Sequence, residues 1–230
     1  MVRGTLLTTL VVLGIAVLVH IARYALLLVN RSTLLNPIVA GVATWIGVAA
    51  SVLAFFTLIA SMVVMTNWLV IRRAAAYAVQ GTSDPRQAWQ LWLGCLVPLF
   101  NLFWAPVYVL ELARAEGRLT WLRGTIVAWW CAWWASFLIS SFSIATSFTR
   151  DAQGIANNAV AATIAYLAAL AALLLTLRVY RGFSDHEAVD RPVKRWVMVP
   201  AESSGERDAP RDLNAESAVP VESERDEPAA

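Results

Sequence analysis

Long apolar stretches separated by short polar connections occupy residues 6–180 of this chain. Four of these stretches carry few charges and reach the length of about 20 residues that a helix needs to cross the hydrocarbon core of a bilayer. They cover residues 6–26, 45–70, 125–148 and 158–180. The pattern therefore predicts an all-α integral membrane protein with four transmembrane helices.

A fifth apolar stretch, residues 88–112, is also long enough to cross, but Pro98 and Pro106 lie inside it. Each proline removes a backbone donor and clashes with the preceding helical turn. We therefore expect a helical hairpin broken by proline over residues 85–117, rather than a fifth span.

Local signals divide this hairpin into two helices. Asp84 has the position of an N-cap followed by proline at the first helical position, which predicts a first helix from Pro85 to Val97. A second helix is expected to begin near residues 104–106 and to end at Gly117, since glycine is the common residue just past a helix end.

The sequence leaves two placements of the hairpin open. In one, its arms, each about 20 Å long, reach mid-bilayer without crossing it. The four spans then wrap the tip, because non-helical backbone at that depth must be buried. In the other, the segment lies flat in the interface with Trp89, Trp92 and Trp104 among the headgroups. Both placements keep the two ends of the segment on one side of the membrane.

Basic residues in the connections predict the orientation, because Lys and Arg favour the cytoplasmic side. A hairpin that enters and leaves by one face puts all three basic clusters around it on that side, whereas a full crossing does not. We therefore predict that both termini are cytoplasmic. The clusters are Arg72, Arg73 and Arg86; Arg114, Arg118 and Arg123; and Arg178, Arg181, Arg191, Lys194 and Arg195.

Charge is distributed unevenly along the chain, of which 59% is apolar and only 15% charged. Residues 1–200 hold 15 basic and 7 acidic residues, a net charge of +8, and residues 201–230 hold 3 and 9, a net charge of −6. The last segment is too poor in apolar residues to offset its ordering entropy, so we expect a disordered acidic tail. The membrane domain is expected to cover residues 1–182 and a basic juxtamembrane segment residues 183–200.

The juxtamembrane segment contains a basic and aromatic patch, Arg191, Lys194, Arg195 and Trp196. Such a patch suits anionic lipid headgroups, at about 1 kcal/mol per basic residue. The acidic tail is expected to bind a cytoplasmic protein, and no nucleic-acid-binding module is visible in the sequence.

Polar residues inside the apolar stretches are few. Asn101 is expected to satisfy carbonyls that the prolines free, or else to line a substrate path. Glu111 and Arg114 have the i, i+3 spacing of a helical ion pair. His20 and Arg23 are expected to be interfacial anchors.

Tryptophans and serines form two further helical faces. The tryptophan face is an interfacial belt, a wall for the hairpin, or the wall of an acyl-chain groove. Its indole N–H groups need acceptors, for which carbonyls freed by proline and Glu111 are the candidates. The serine face is expected to pack helices together, and the two cysteines are expected to be buried thiols. These residues are Trp129, Trp130, Trp133 and Trp134; Ser136, Ser140, Ser143 and Ser147; and Cys95 and Cys131.

The most specific pattern in the chain is a tryptophan, then Pro-x-x-Asn-Leu-x-x-x-Pro, then a glutamate five residues on. It is formed by Trp92, Pro98, Asn101, Leu102, Pro106 and Glu111. This run resembles the signature of a family of bacterial membrane proteins, domain of unknown function 4328, and the resemblance extends over about residues 45–181. It implies the membrane architecture and a bacterial plasma membrane, and it implies no activity.

No catalytic constellation, cofactor motif or metal-ligand set is visible in the sequence. We therefore expect a non-enzymatic scaffold or regulatory subunit in contact with the lipid bilayer, which binds a membrane partner or forms a homo-oligomer. A small transporter or channel subunit is the alternative. A membrane-embedded lipid-processing enzyme is the third reading.

Overall fold

Helices account for all the regular secondary structure in residues 1–33, 36–149 and 152–184, which this computed structural model describes. The prediction of an all-α fold is therefore confirmed. The basic patch and the acidic tail lie outside the described residues, and the domain boundaries stay predictions. The helices are α1 (Val2–Ser32), α2 (Pro37–Val79), α3 (Ala88–Leu96), α4 (Phe100–Ala115), α5 (Leu119–Thr146) and α6 (Ala152–Ser184).

Four of these helices, α1, α2, α5 and α6, are long and apolar enough to cross a membrane, as predicted. Three of them, α1, α2 and α6, extend past both ends of the apolar stretch that predicted them, whereas α5 begins before its stretch and ends two residues short of its end. With 43 residues, α2 is about 64 Å long, roughly twice the thickness of a hydrocarbon core. The ends of α2 therefore reach beyond the apolar layer, and its carboxyl end carries a polar structure described below.

The break in the hairpin falls where the first proline predicts it. The first arm ends at Leu96, and Val97 is extended (φ −75°, ψ 122°) because a residue before proline avoids the helical region. Leu99 follows at the tip with φ +72°, a conformation that costs a residue with a side chain about 1–3 kcal/mol. The tip is thus a tight, strained turn between α3 and α4.

Two details of the hairpin differ from the prediction. The first arm begins at Ala88 with Gln87 as its N-cap, so Asp84 does not cap it. The second arm begins at Phe100, which places Pro106 inside α4 rather than at its start. Gly117 does end the arm as predicted: it has φ +68°, and the Arg118 N–H donates to the carbonyl of Ala113.

Both ends of the hairpin lie at the same end of the bundle. The Gln80 side chain, just past α2, donates from Nε2 to the carbonyl oxygen of Ala115 at the end of α4 (2.6 Å). The hairpin therefore returns to the level from which it starts. The prediction that the stretch does not cross the bundle is confirmed.

The helices form a ring in the order α1, α2, the hairpin, α5, α6 and back to α1. In the described part of the chain, the backbone of α2 comes within 8 Å of neither α5 nor α6. One buried cluster joins the hairpin to α2, α5 and α6, and a second joins α1, α2 and α6. The interior between the two clusters is incompletely filled.

The tip of the hairpin faces outward, contrary to the expectation that the four spans wrap it. Leu99 is 58% exposed, and Phe100 and Phe103 are similarly exposed. The irregular backbone there is short, and two N–H groups beside it form hydrogen bonds. The Val97 N–H donates to the carbonyl of Leu93, and the Asn101 N–H donates to the carbonyl of Val97. These two N–H groups are therefore satisfied by carbonyls of the hairpin itself.

Candidate functional site

Arg73, near the carboxyl end of α2, is the largest fully buried side chain among the described residues, with 0% exposure. Its Nε and Nη2 donate to the two carboxylate oxygens of Asp84, each at 2.9 Å. Its Nη1 donates to the carbonyl of Tyr108 (2.9 Å) and lies 3.0 Å from Glu111 Oε2, as an ion pair without a hydrogen bond at that oxygen. A buried charge is tolerated only when it is paired and hydrogen-bonded, and each guanidinium nitrogen here has an oxygen partner.

Arg86 completes this pairing from the connection before α3. Its Nη2 donates to Glu111 Oε1 (2.9 Å), and its guanidinium lies over the ring of Trp104, 5.5 Å from the centroid. Burial alone would raise the pKa of the Asp84 carboxyl, but hydrogen bonds from Arg73 and from the Arg86 N–H hold it below its usual value.

The predicted ion pair between Glu111 and Arg114 is wrong. Glu111 pairs with Arg73 and Arg86, which lie far from it in sequence, whereas Arg114 is exposed and forms none of the ion pairs in the described residues. The spacing of i, i+3 allows a contact along one helix. The packing of α4 against α2 turns Glu111 inward and leaves Arg114 on the outer face.

A second group of ion pairs lies at the carboxyl end of α6. Arg72 and Arg118 both contact the Glu116 carboxylate, at 2.6 and 3.4 Å. Both also donate to the carbonyl of Phe183 at the end of α6, Arg72 at 3.0 Å and Arg118 at 2.6 Å. The last carbonyls of a helix lack partners within the helix and carry partial negative charge, which suits arginine.

These two pairings form what we name the base network: Arg72, Arg73, Asp84, Arg86, Glu111, Glu116 and Arg118. The network joins α2, the connection before α3, α4 and the end of α6. Sequence reasoning treated the arginines only as orientation signals and missed the network. The sequence did contain a signal for the network. Asp84, Glu111 and Glu116 are the only acidic residues before position 150, in a chain where arginine is frequent.

The other end of the hairpin is bound to α5 through tryptophan. Pro106 has no N–H, so the carbonyl of Leu102, four residues earlier, is free, and Trp130 Nε1 donates to it at 2.8 Å. This confirms the expectation that a carbonyl freed by proline accepts an indole N–H. Trp130 lies 11 residues into α5, about 16 Å along its axis. The hairpin therefore packs lengthwise against α5. Of the alternatives for the tryptophan face, this is the one in which the face forms a wall for the hairpin.

Other aromatic rings support the same contact. Trp134 packs edge-on against Phe103 of the hairpin, with centroids 5.2 Å apart, and Trp133 packs edge-on against Trp129 at the same distance. Trp92 on α3 is partly buried. An arrangement in which the segment lies flat across the end of the bundle would not bring Phe103 to this depth of α5.

Two buried polar atoms near the tip have no hydrogen-bond partner in the described part of the chain. They are Asn101 Oδ1 and Trp129 Nε1, on side chains that are 6% and 5% exposed. The Asn101 amide oxygen is an acceptor, and the Trp129 N–H is a donor. Each unsatisfied group costs about 1–3 kcal/mol.

Both residues line a cavity of about 320 Å³ in the middle of the ring, which we name the tip cavity. A second cavity of about 420 Å³ continues toward the other end of the bundle, and both are lined by Leu58, Ser140 and Ala169. Ser136 lines the first cavity, and Ser143 and Ser147 line the second. The serine face thus lines the hollow interior.

His20 is buried rather than placed at an interface, contrary to the prediction. It is 5% exposed, its Nε2 lies 3.3 Å from Ser51 Oγ, and its ring stacks on Tyr166 with centroids 4.7 Å apart. The Arg23 side chain packs directly against Gly47 of α2. The contact is so close that a Cβ at position 47 would lie 2.9 Å from the arginine Cδ. The helical face that carries His20 turns toward α2 and α6.

The two cysteines are free and lie in different surroundings. Cys95 is buried as expected, whereas Cys131 is exposed on α5. No group of three His, Cys, Asp or Glu side chains that could hold a metal ion occurs within residues 1–33, 36–149 and 152–184.

Comparison with known proteins identifies the family. No curated protein and no solved structure matches the chain. A family model described as domain of unknown function (DUF4328) matches residues 31–185, which include the hairpin, the base network and the tip cavity except for Leu6 of α1. The match covers more than half of the 230 residues, so the chain belongs to this family.

Proposed function

We propose that the chain is a non-enzymatic membrane scaffold or regulatory subunit whose base network faces the cytoplasm. The observation that carries this proposal is that the carboxylates around the hairpin are each paired with arginines. Glu111 has Arg73 at one oxygen and Arg86 at the other, and Glu116 lies between Arg72 and Arg118. Carboxylates held between arginines position helices, and they are poorly suited to take a proton from a substrate.

The proposed orientation rests on the arginines at the base. Arg72, Arg73, Arg86 and Arg118 lie at this end, and positively charged connections favour the cytoplasm. Since α6 ends at the base network and α1 is joined to α2 by a short connection at the opposite end, both termini emerge on the base side. The tail would then be presented to cytoplasmic proteins.

Cysteine labelling with a membrane-impermeant maleimide tests the orientation, in a background in which Cys95 and Cys131 are replaced by alanine. We expect Thr149→Cys to label in intact cells, and Ser83→Cys and Thr120→Cys to label only after permeabilisation. All three positions are exposed. Labelling of Ser83→Cys and Thr120→Cys from opposite sides would overturn the proposed topology.

Affinity capture from membranes tests the scaffold role. Full-length chain and a version lacking residues 201–230 are compared, both checked for equal melting temperature. We expect a cytoplasmic partner that is captured only with the tail. The same partners with both versions would remove the tail from the proposed function.

A small transporter or channel subunit is the second candidate, favoured by the hollow interior lined with serine. Purified protein in liposomes would have to conduct or exchange a solute. Absence of flux for ions and small polar solutes would leave the scaffold as the proposal.

A further inference from the structure

The tip cavity combines three features that neither a scaffold nor an ion-paired hairpin needs. It is large, its lining includes the two residues that carry an unpartnered polar atom, and none of its described lining residues is charged. A dry apolar cavity of about 150 Å³ already admits benzene. A cavity of about 320 Å³ lies within the range of small-molecule sites, which are mostly apolar with a few placed polar groups.

The two polar atoms define what the occupant must offer. Asn101 Oδ1 needs a donor and Trp129 Nε1 needs an acceptor. A ketone or ester offers only acceptors, and an ammonium group offers only donors. A hydroxyl group offers both and carries no charge.

The lining excludes charged headgroups. Its side chains are apolar, aromatic, or hydroxyl- and amide-bearing, such as Leu69, Met65, Trp133 and Thr176. Placing a carboxylate or phosphate among them would cost far more than the two hydrogen bonds return. Several of the hydroxyls are already engaged: Thr66 and Thr176, for example, donate to carbonyls of their own helices.

The arrangement of the helices in a ring leaves a route from the membrane interior into the tip cavity. Within the described residues, α2 and α5 make no backbone contact, and the hairpin between them ends at its exposed tip. Beyond the tip, Met62 of α2 and Phe137 of α5 line the cavity and are partly exposed. A lipid chain can therefore enter sideways from the bilayer, through a gap bordered by apolar side chains.

We propose that the tip cavity binds an uncharged, single-chain lipid alcohol, whose hydroxyl end hydrogen-bonds to Asn101 and Trp129. The chain of the lipid occupies the apolar part of the cavity and leaves through the gap between α2 and α5. This inference is independent of the scaffold role and of the orientation of the protein.

Bromine quenching of tryptophan fluorescence tests the proposal, because Trp68, Trp129 and Trp133 line the cavity. The full chain in phosphatidylcholine nanodiscs is titrated with dodecanol that bears a terminal bromine, with the corresponding bromoalkane, and with the corresponding ionised fatty acid. We expect saturable quenching by the alcohol, and only the non-saturable quenching of lipid partitioning by the other two.

Variants assign the polar contacts. Asn101→Leu and Trp129→Phe are each expected to weaken alcohol binding about tenfold, the equivalent of one hydrogen bond. Phe100→Leu, at the exposed tip and outside the cavity lining, is the matched control and should bind as the wild type does. If Asn101→Leu fails to fold, Trp129→Phe decides alone.

Two results would overturn the proposal. Equal quenching by the alcohol and the bromoalkane in the wild type would mean that the polar atoms recognise nothing, and that the cavity holds water or random lipid. Wild-type alcohol affinity in the folded variants would mean that the alcohol binds elsewhere.

Discussion

The base network and the tip cavity lie at the two ends of one helical hairpin and treat buried polar groups in opposite ways. At the base, the fully buried Arg73 has an oxygen partner at each guanidinium nitrogen. At the tip, Asn101 and Trp129 are almost as deeply buried and keep an unpartnered atom each. Glu111 Oε2 at the base has no hydrogen bond, but it is ion-paired with Arg73 at 3.0 Å. The same chain therefore has, within a few helical turns, buried charges that all have an ionic partner and neutral polar atoms that have no partner.

The two ends differ in the free energy that an unpartnered group costs. An unpaired buried charge costs about 3–5 kcal/mol, so pairing of the charges at the base is a large part of the stability of the fold. A neutral donor or acceptor costs only about 1–3 kcal/mol when it is unpartnered, which a fold can carry. Such a cost is recovered when a ligand binds, so the incomplete end is where binding is expected.

Removing Arg73 should have the largest effect. Arg73→Met keeps the apolar stem but leaves Asp84 and Glu111 without their shared cation, and we expect a loss of about 3–5 kcal/mol in the free energy of unfolding. Chemical denaturation in detergent measures it. The exposed Arg114→Met is the matched control, and equal losses in both variants would contradict a special role for the base network.

Removing the unpartnered amide should act in the opposite direction. Asn101→Leu replaces a buried, incompletely bonded side chain with an apolar one of similar size. In lipid-free detergent we expect a gain of up to about 1–3 kcal/mol in the free energy of unfolding. A loss comparable to that of Arg73→Met would mean that Asn101 is fully bonded, and the contrast between the two ends would disappear.

A double-mutant cycle examines the contact of the hairpin with α5. Trp130→Phe leaves the Leu102 carbonyl without a donor, and Pro106→Ala returns a backbone N–H to it. The cost of Trp130→Phe should therefore be smaller by about 1 kcal/mol in the Pro106→Ala background. Thermal unfolding of the four proteins measures the coupling, and strictly additive effects would exclude the hydrogen bond as its cause.

Lowering the pH should reduce the stability that the base network contributes, by a smaller amount than the substitutions above. Because the pKa of Asp84 is lowered in the folded protein, its contribution to stability is present above the usual value near 4 and is lost as the pH falls through the folded value. Between about pH 5 and pH 3, the melting temperature of the wild type should fall more than that of Asp84→Asn. Parallel curves would show that Asp84 does not contribute this pH dependence.

Local features of the hairpin were predictable because their causes are local. The break before Pro98 follows from the steric restriction on the residue that precedes proline, and Gly117 ends α4 because glycine tolerates a positive φ. The position of Pro106 was not predictable in this way. A proline seven residues into a helix is stable here because Trp130 of another helix supplies the missing donor.

The sequence by itself determined the solvent of this protein, the number of its long apolar helices and the existence of a hairpin, because length, composition and proline act on each segment alone. Only the tertiary structure decided that Glu111 pairs with Arg73 and Arg86 rather than Arg114, and that Asn101 borders a cavity. Those outcomes depend on how each helix is rotated about its axis and how closely its neighbours approach. Side-chain shapes from the whole ring set both quantities together, so no single segment encodes them.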